Sequence, residues 1–208
     1  MPRRPDVAHR AELARAAFEV LRARGMQTSM RELADALGVK RPTLYFYFAD
    51  LASVFDAGLA PLRQSLAETV TQRMREASHP IDRLRAAIDA TLAFHRERPQ
   101  LVAGVLQRWA LGGPEIAPGV ERERRALLAI RDSLVADLRG GIARKEVRRC
   151  DPERVIDLVL ATLGGALLQQ LLGLARTDDA GDELARRVLE PLRAQRKRRR
   201  ARAAQVRA

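Results

Sequence analysis

Apolar residues recur at helical spacing over most of the chain, and the clearest stretch lies near the N-terminus. Between residues 29 and 37, one side of the predicted helix is apolar at Met30, Leu33, Ala34 and Leu37. Ser29 and Glu32 have the spacing of a capping box, in which each side chain bonds the backbone amide of the other residue. Periodicity and cap together predict a helix that begins at about Met30.

A second short helix is predicted from about Arg41 to Phe48. Gly38 ends the first helix, because glycine adopts the left-handed conformation that a C-terminal cap requires. Pro42 then lies in the first turn of the second helix, where its missing amide hydrogen costs nothing. Two short helices joined by a tight glycine turn are typical of a helix-turn-helix, whose second helix enters the major groove of DNA.

The second helix has an apolar side and a polar side. Leu44 and Phe48 lie four residues apart and are predicted to pack inward. The polar side carries side chains that can reach DNA, namely Arg41, Thr43, Tyr45 and Tyr47. The alternative is that the aromatic run is a packed turn of a small three-helix domain, and Phe46 and Phe48 are predicted to pack in this way. Successive residues point about 100° apart, so at least one of the two tyrosines must face solvent.

The remaining pattern predicts longer amphipathic helices that proline and glycine separate. A linking helix is expected from Leu51 to about Ala77, with a bend near Gly58 and Pro61. Further helices are expected at Pro80 to Arg98, Pro99 to Leu111, Val120 to Arg139, Asp151 to Ala175 and Gly181 to about Arg199, with breaks at 112–114 and 139–141. β-branched residues are sparse and no alternating run of strand length occurs, so the predicted fold class is all-α.

The stretch from about residue 9 to residue 59 resembles the N-terminal domain of the tetracycline-repressor (TetR) family. The shared features are a first helix that ends at Gly25, the capped second helix, the Gly-Val turn, the Thr-Leu-Tyr triplet and the last Phe of the aromatic run. The resemblance implies an N-terminal three-helix DNA-binding domain followed by a larger helical ligand-binding and dimerisation domain. It also implies a set of residues that face the operator: Arg31, Lys40, Arg41, Pro42, Thr43, Tyr45 and Tyr47.

Within that set, the resemblance implies different roles. Arg31 and Arg41 would read bases, and Pro42 would touch a thymine methyl group. The other residues would hold phosphates and set the register on the duplex. The chain departs from the family pattern at two positions: Lys40 stands where a capping side chain is usual, and Leu51 stands where a lysine commonly contacts the DNA backbone.

The net charge is +12, and most of the excess lies at the C-terminus. Residues 193–208 hold eight basic side chains and no acidic one. This segment is expected either to add non-specific phosphate contacts or to be a solvated end that aids solubility. The predicted organisation is therefore a DNA-binding domain at 1–55, a helical regulatory and dimerisation domain at 56–192, and a basic tail at 193–208.

The helix predicted from Asp151 to Ala175 is the most apolar in the chain. Gly164 and Gly165 in its middle would let another helix approach closely. A helix that is apolar nearly all round must be covered on all sides. The predicted cover is a second copy of the chain, with Glu183 to Leu192 completing a two-fold four-helix interface. A core helix of a monomer is the alternative.

The resemblance also implies a small-molecule pocket among the helices of about residues 83 to 137. Its occupation would shift the spacing of the two reading helices and release the operator. Such a site needs apolar walls and a few orienting polar groups, and an apolar or aromatic effector is expected. The candidate residues are Phe94, His95, Gln107, Trp109 and Leu111. Each of them also has a plainer interpretation, as a core residue or as one that faces water.

Other classes of protein have less support. Cys150 is the single cysteine, which excludes an internal disulfide, and the three histidines are scattered, so no metal site is expected. No phosphate loop, nucleophile elbow or zinc-protease motif occurs, and neither a cofactor nor catalysis is expected. The longest apolar run, residues 158–168, is about half the roughly twenty residues that a bilayer needs. With no secretory signal pattern at the N-terminus, a cytoplasmic protein is expected.

The favoured interpretation is a dimeric, ligand-responsive transcriptional regulator, a repressor rather than an activator, that binds an inverted-repeat operator in double-stranded DNA. One alternative is a helical ligand-binding or interaction module whose reading helix no longer reads. Another is non-specific nucleic-acid binding through the basic tail. Experiment can separate two of these interpretations. Non-specific binding requires the basic tail, whereas operator binding requires Arg41.

Overall fold

A computed structural model of the chain describes residues 6–25, 27–98, 102, 117–174 and 177–194. Within these residues the regular elements are helices, apart from one antiparallel bridge between Val147 and Arg193. The predicted all-α fold is therefore confirmed. The helices are α1 (Val7–Arg24), α2 (Met30–Ala36), α3 (Arg41–Tyr47), α4 (Leu51–Arg75), α5 (Pro80–Arg96), α6 (Ala117–Ala143), α7 (Pro152–Leu171) and α8 (Thr177–Leu184), followed by a π-helical turn (Ala185–Leu189) and a 3-10 turn (Glu190–Leu192).

The first three helices and the first part of α4, residues 6–59, share one small core and are called the head. Asp6 starts α1, because its carboxylate accepts hydrogen bonds from the amides of Ala8 and His9 at 2.9 and 3.3 Å. The core buries side chains from every helix of the head, among them Leu13, Phe18, Leu33, Leu44, Phe48 and Phe55. These contacts fix α3 against α1 and α4.

The helices α1 and α4 approach each other closely at Gly58. A Cβ atom placed at Gly58 would lie 2.5 Å from the Cβ of Phe18, which is too close for any other residue without rearrangement. The Phe18 ring also packs against the Phe55 ring, with centroids 5.3 Å apart. The sequence predicts a bend near Gly58 and Pro61, and α4 runs through both residues as one helix. Gly58 is thus needed for packing.

The helix α5 is central to the body, defined here as residues 80–194, and contacts α4, α6, α7 and α8. Its buried face repeats at helical spacing, at Ile81, Leu84, Ile88 and Leu92. His79 caps this helix, because its Nδ1 accepts a hydrogen bond of 3.1 Å from the amide of Ile81. The same ring reaches across to the carbonyl oxygen of Glu146 at 3.2 Å, which joins the start of α5 to the loop after α6.

The predicted break at residues 139–141 is wrong, because α6 continues through both glycines to Ala143. A Cβ atom at Gly141 would lie 2.7 Å from Pro80 and 2.8 Å from Val147. The glycine therefore serves a close helix contact. The chain turns a few residues later, at Lys145, whose φ is 60°. The helix predicted at Pro99 to Leu111 falls almost wholly outside the described residues.

The last predicted helix also differs from the structure. It begins earlier, at Thr177, and regular helix gives way to the π-helical and 3-10 turns that end at Leu192. Pro191 lacks an amide hydrogen and cannot continue the hydrogen-bond ladder of the helix. The part of this predicted helix beyond residue 194 lies outside the described residues.

Arg193, the first residue assigned to the basic tail, is held by the body. Its guanidinium bonds both carboxylate oxygens of Asp82, one of them at 3.1 Å, and it also bonds Glu190. These bonds hold the pKa of the Asp82 carboxyl below its usual value. The next amide, that of Ala194, donates to the carbonyl of Glu146 at 2.9 Å. Arg193 and Ala194 therefore lie beside the turn between α4 and α5.

Cys150 lies in the loop between α6 and α7 and is partly buried. Burial raises the pKa of its thiol, and the neighbouring charge of Asp151 acts in the same direction. A raised pKa lowers the fraction of reactive thiolate. We therefore expect this thiol to be unreactive.

The Gly58 contact predicts a large effect from a small substitution. Gly58→Ala forces the backbones of α1 and α4 apart, so we expect the free energy of unfolding to fall by about 1–3 kcal/mol. Gly140→Ala is a matched control, because a Cβ there meets only the flexible end of Arg144, at 3.1 Å. The control should be neutral or gain up to about 1 kcal/mol from helix propensity. Urea unfolding followed by circular dichroism measures both, and equal effects would contradict this account of Gly58.

Candidate nucleic-acid interface

The helix α2 begins where the sequence predicts, with a complete capping box. The amide of Glu32 donates to the Ser29 hydroxyl at 3.2 Å, and the Glu32 carboxylate accepts from the Ser29 amide at 2.7 Å. The bond from the Ser29 backbone, with one from its hydroxyl, lowers the pKa of the Glu32 carboxyl below its usual value. Because Met30 and Leu33 are buried in the head core, the opposite face of α2 carries Arg31 into solvent.

A tight turn then redirects the chain into α3. Gly38 has a φ of 65°, the left-handed conformation expected at this position. The amide of Val39 bonds the carbonyl of Ala34 at 3.1 Å, which closes the end of α2. Lys40 is the N-cap of α3 and makes no side-chain cap bond, as the departure from the family pattern predicts. Its ammonium group is left exposed beside the first turn of α3.

Two buried residues fix the rotation of α3 about its axis. Leu44 is fully buried and Phe48, just after the helix, is 1% exposed, so both point into the head core as predicted. The opposite side of the helix is open to solvent at Arg41, Pro42 and Tyr45, whereas Thr43 and Tyr47 are half-buried. The structure therefore places five of the seven predicted DNA-facing residues on the exposed surface: Arg31, Lys40, Arg41, Pro42 and Tyr45.

The aromatic run divides differently from the prediction. Phe46 is 50% exposed, so the expectation that it packs inward is wrong, because its position on the helix points away from Leu44 and Phe48. Tyr45 is 47% exposed, which confirms that at least one tyrosine faces solvent. Tyr47 instead packs against α1, with its ring 5.4 Å from that of His9 in an edge-on arrangement.

The start of α1 belongs to the same surface, which the sequence does not reveal. Arg10 donates a hydrogen bond of 3.4 Å to the carbonyl oxygen of Tyr47, and its guanidinium lies 5.0 Å from the centre of the Phe48 ring. Residues 37 positions apart in sequence are involved, and no local pattern relates them. The contact steadies the C-terminal end of α3 against α1.

The helix α4 begins at a second complete capping box. The carboxylate of Asp50 accepts a bond of 2.6 Å from the Ser53 amide, and the Ser53 hydroxyl accepts one from the Asp50 amide. Leu51 is half-buried and packs against the head core. The second departure from the family pattern is therefore structural as well: the side chain at 51 contributes to packing and has no group that can bond a phosphate.

The head has no net charge, so the placement of its charges decides what it binds. Residues 6–59 contain seven basic and seven acidic side chains. Three of the basic ones, Arg31, Lys40 and Arg41, are exposed on the helix-turn-helix. Exposed arginines can pair bidentately with guanine, and lysine supplies a charge for phosphate. The surface combines base-reading and phosphate-binding groups on one small area.

The residues predicted to line a ligand pocket are only partly described. Phe94 is 6% exposed and packs in the core of the head, with Arg98 stacked 4.2 Å from the centre of its ring. His95 is half-buried and its Nδ1 lies 2.8 Å from the carbonyl oxygen of Thr91 on the same helix. Gln107, Trp109 and Leu111 lie outside the described residues. In the described part of the chain, no group of three His, Cys, Asp or Glu side chains could hold a metal ion.

Comparison with known proteins agrees with this geometry. The family model "Bacterial regulatory proteins, tetR family" matches residues 13–57. The HTH-type transcriptional repressor BepR of Brucella suis biovar 1 (strain 1330) is 30% identical over 167 residues, which are 76% of this chain and 78% of that protein. The HTH-type transcriptional activator FasR of Mycolicibacterium smegmatis (strain ATCC 700084 / mc(2)155) is 31% identical over 120 residues, 57% of this chain and 55% of that protein.

Solved structures share the fold over nearly the whole chain. A TetR transcriptional regulator from Chloroflexus aurantiacus J-10-FL has a TM-score of 0.74 and 23% identity, over 90% of this chain and 97% of that one. Similarity at this level of identity shows a common fold. Together with the helix-turn-helix of the head and the match to BepR, it leads to one conclusion: the chain belongs to the TetR family of transcriptional regulators.

Proposed function

We propose that the protein is a one-component repressor that binds an inverted-repeat operator as a homodimer and is released by a small molecule. The observation that carries the proposal is the orientation of α3. Burial of Leu44 and Phe48 holds one side of this helix in the core and presents Arg41, Pro42 and Tyr45 to solvent. A helix held in this way can enter the major groove without rearrangement of the head.

The proposed contacts divide into reading and positioning. Arg41, at the first turn of α3, and Arg31 on α2 are the base readers, and Pro42 contacts a thymine methyl group. Lys40 and Tyr45 are exposed and supply phosphate contacts. Thr43 and Tyr47 are half-buried, so only their polar ends are available to the DNA backbone. The positioning residues set the register in which the two arginines read.

The proposed dimer interface is the apolar face of α7. Leu158, Leu168 and Leu171 are 49, 43 and 36% exposed, and Leu172 and Leu174 just beyond the helix are more exposed still. A Cβ atom at either central glycine, 164 or 165, would meet nothing within 4 Å. A second copy of α7, packed with residues 183–192, covers this face in a two-fold four-helix arrangement. Two-fold symmetry also matches the symmetry of an inverted repeat.

The composition of α7 permits a second interpretation. By length and hydropathy it could cross a membrane, and only 17% of its most apolar window is buried. A single helix of this kind is weak evidence, because core helices of soluble proteins pass the same test. A reading head that must reach DNA favours the dimer interface, and we expect the protein to act in the cytoplasm.

The effector is proposed to be an apolar or aromatic small molecule that shifts the two heads relative to each other. His95 on α5 and the undescribed Gln107, Trp109 and Leu111 remain the candidates for its binding. Phe94 is a weaker candidate, since its ring is committed to the core of the head. A surface cleft of about 550 Å³ between α5 and α8 does not suit such a ligand, because it is lined mainly by arginines and carboxylates.

The operator proposal predicts that Arg41 carries sequence preference. At about 150 mM salt, the protein should prefer the intergenic DNA beside its own gene to a scrambled duplex by roughly a thousandfold. Arg41→Ala should reduce that preference by about 1–3 kcal/mol per half-site. Arg73→Ala, an exposed arginine near the far end of α4, is the matched control and should leave it unchanged. Fluorescence anisotropy measures both, and equal binding to the two duplexes by the wild-type chain would refute the proposal.

Removal of the basic tail is expected to have a different effect from Arg41→Ala. Arg193 lies beside the α4–α5 turn, and the 25 residues of α4 place this turn about 37 Å from the start of that helix. Removal of residues 195–208 should preserve the preference for operator over scrambled DNA, because the proposed base readers on α2 and α3 remain in place. It should lower affinity for both duplexes by a similar factor and reduce the salt dependence of binding, since seven basic side chains are lost. Loss of all DNA binding would favour the non-specific alternative.

The interface proposal predicts that a charge on α7 separates the protomers. Leu168→Glu would bury a carboxylate against the partner helix, so we expect a monomer at micromolar concentration. Val7→Glu is the control, because Val7 is 81% exposed and lies on α1, outside the proposed interface. Sedimentation equilibrium measures the mass of both variants. A monomeric wild-type chain would contradict the dimer, as would a Leu168→Glu variant that remains dimeric.

A further inference from the structure

Four charged side chains form a network between α4 and α6. Arg122 on α6 bonds the carboxylate of Asp56 on α4. Arg63 on α4 lies 3.5 Å from the carboxylate of Glu123 on α6, and its other nitrogen donates to the carbonyl oxygen of Asp56 at 3.2 Å. Each helix thus supplies one cation and one anion, and the two ion pairs cross in opposite directions.

This network connects the head to the body. Asp56 follows Phe55 and precedes Leu59, and both of those neighbours are buried in the core of the head. Arg122 and Glu123 belong to the helix whose later residues Leu134 and Leu138 are buried in the core of the body. An apolar contact joins the same two parts, because Phe94 from α5 of the body inserts into the core of the head.

The Asp56 pair holds a more buried carboxylate than the Arg139–Glu153 pair of the same helix does. The side chain of Asp56 is 12% exposed, whereas that of Arg122 is 65% exposed. The pair formed by Arg139 and Glu153 is 62 and 43% exposed. A carboxylate withdrawn from water depends on its charge-assisted bonds far more than an exposed one does. The angle between α4 and α6 is therefore held where this carboxylate keeps its partners.

We propose that Asp56 and Arg122, supported by Arg63 and Glu123, are positioning residues that fix the angle of the head on the body and so select the spacing of the two operator half-sites. The selection of half-site spacing rests on the proposed dimeric operator binding, whereas the fixed angle of the head does not. In a two-fold dimer, the angle of each head sets the separation of the two copies of α3. A head held at one angle accepts one spacing, and a head that swings accepts several.

Charge exchange tests the proposal. Binding is measured for the wild type, Asp56→Arg, Arg122→Asp and the double exchange, on duplexes whose spacer between half-sites differs by single base pairs. The wild type should favour one spacing by at least about tenfold. The single variants should lose most of that preference while still discriminating bases within each half-site, and the double exchange should recover it. Arg139→Asp, in the exposed pair of the body, should keep the wild-type profile.

A second readout needs no DNA. Spin labels at Ala16→Cys on the head and Arg154→Cys on the body, both exposed positions, are introduced in a Cys150→Ser background and diluted with unlabelled protein. Double electron–electron resonance measures the distance between the two labels. We expect a narrow distance distribution for the wild type, a broader one for Arg122→Asp, and a narrow one for the double exchange. Circular dichroism verifies that each variant is folded.

The outcomes separate the two proposals. An unchanged distance distribution in both single variants would overturn the positioning role, as would an unchanged spacing profile. A distance distribution that broadens in the single variants and narrows again in the double exchange would support a fixed head angle. If the wild-type chain favoured no operator, only the proposed function would be refuted.

Discussion

The close approach of α1 and α4 at Gly58 is the contact on which the head depends. Because no side chain separates the two helices there, Phe18 lies directly on the backbone of α4 and beside Phe55. Leu44 and Phe48 are buried in the same core as these two rings. The orientation of the recognition helix is therefore set by packing behind it, and its exposed face is free to carry residues chosen for DNA.

Features governed by local chemistry could be predicted from the sequence. The start of α2 at the Ser29 cap, the turn at Gly38 and the start of α4 at Asp50 all depend on residues within four positions of each other. The burial of Leu44 and Phe48 followed from their spacing on one short helix. Such signals are complete within a few residues, because the hydrogen bonds and periodicity that produce them are themselves local.

Features that depend on contacts between distant segments could not be predicted. Gly141 looked like a helix break, but Pro80 from the start of α5 packs on it. Phe94 looked like a pocket wall, and its place in the core of the head depends on how α5 crosses α4. Arg193 looked like the start of a free basic segment, whereas Asp82, more than a hundred residues earlier, holds it.

The position of the last described residues has a practical consequence. The last described residues are joined to the Glu146 carbonyl and to Asp82, at the end of the body where α4 meets α5. A fluorophore or surface linker attached at Ala194, the last described residue, would lie there, one full length of α4 away from the head. Held at that residue, the protein would present its reading helices away from the surface, which makes Ala194 a suitable attachment point for single-molecule work.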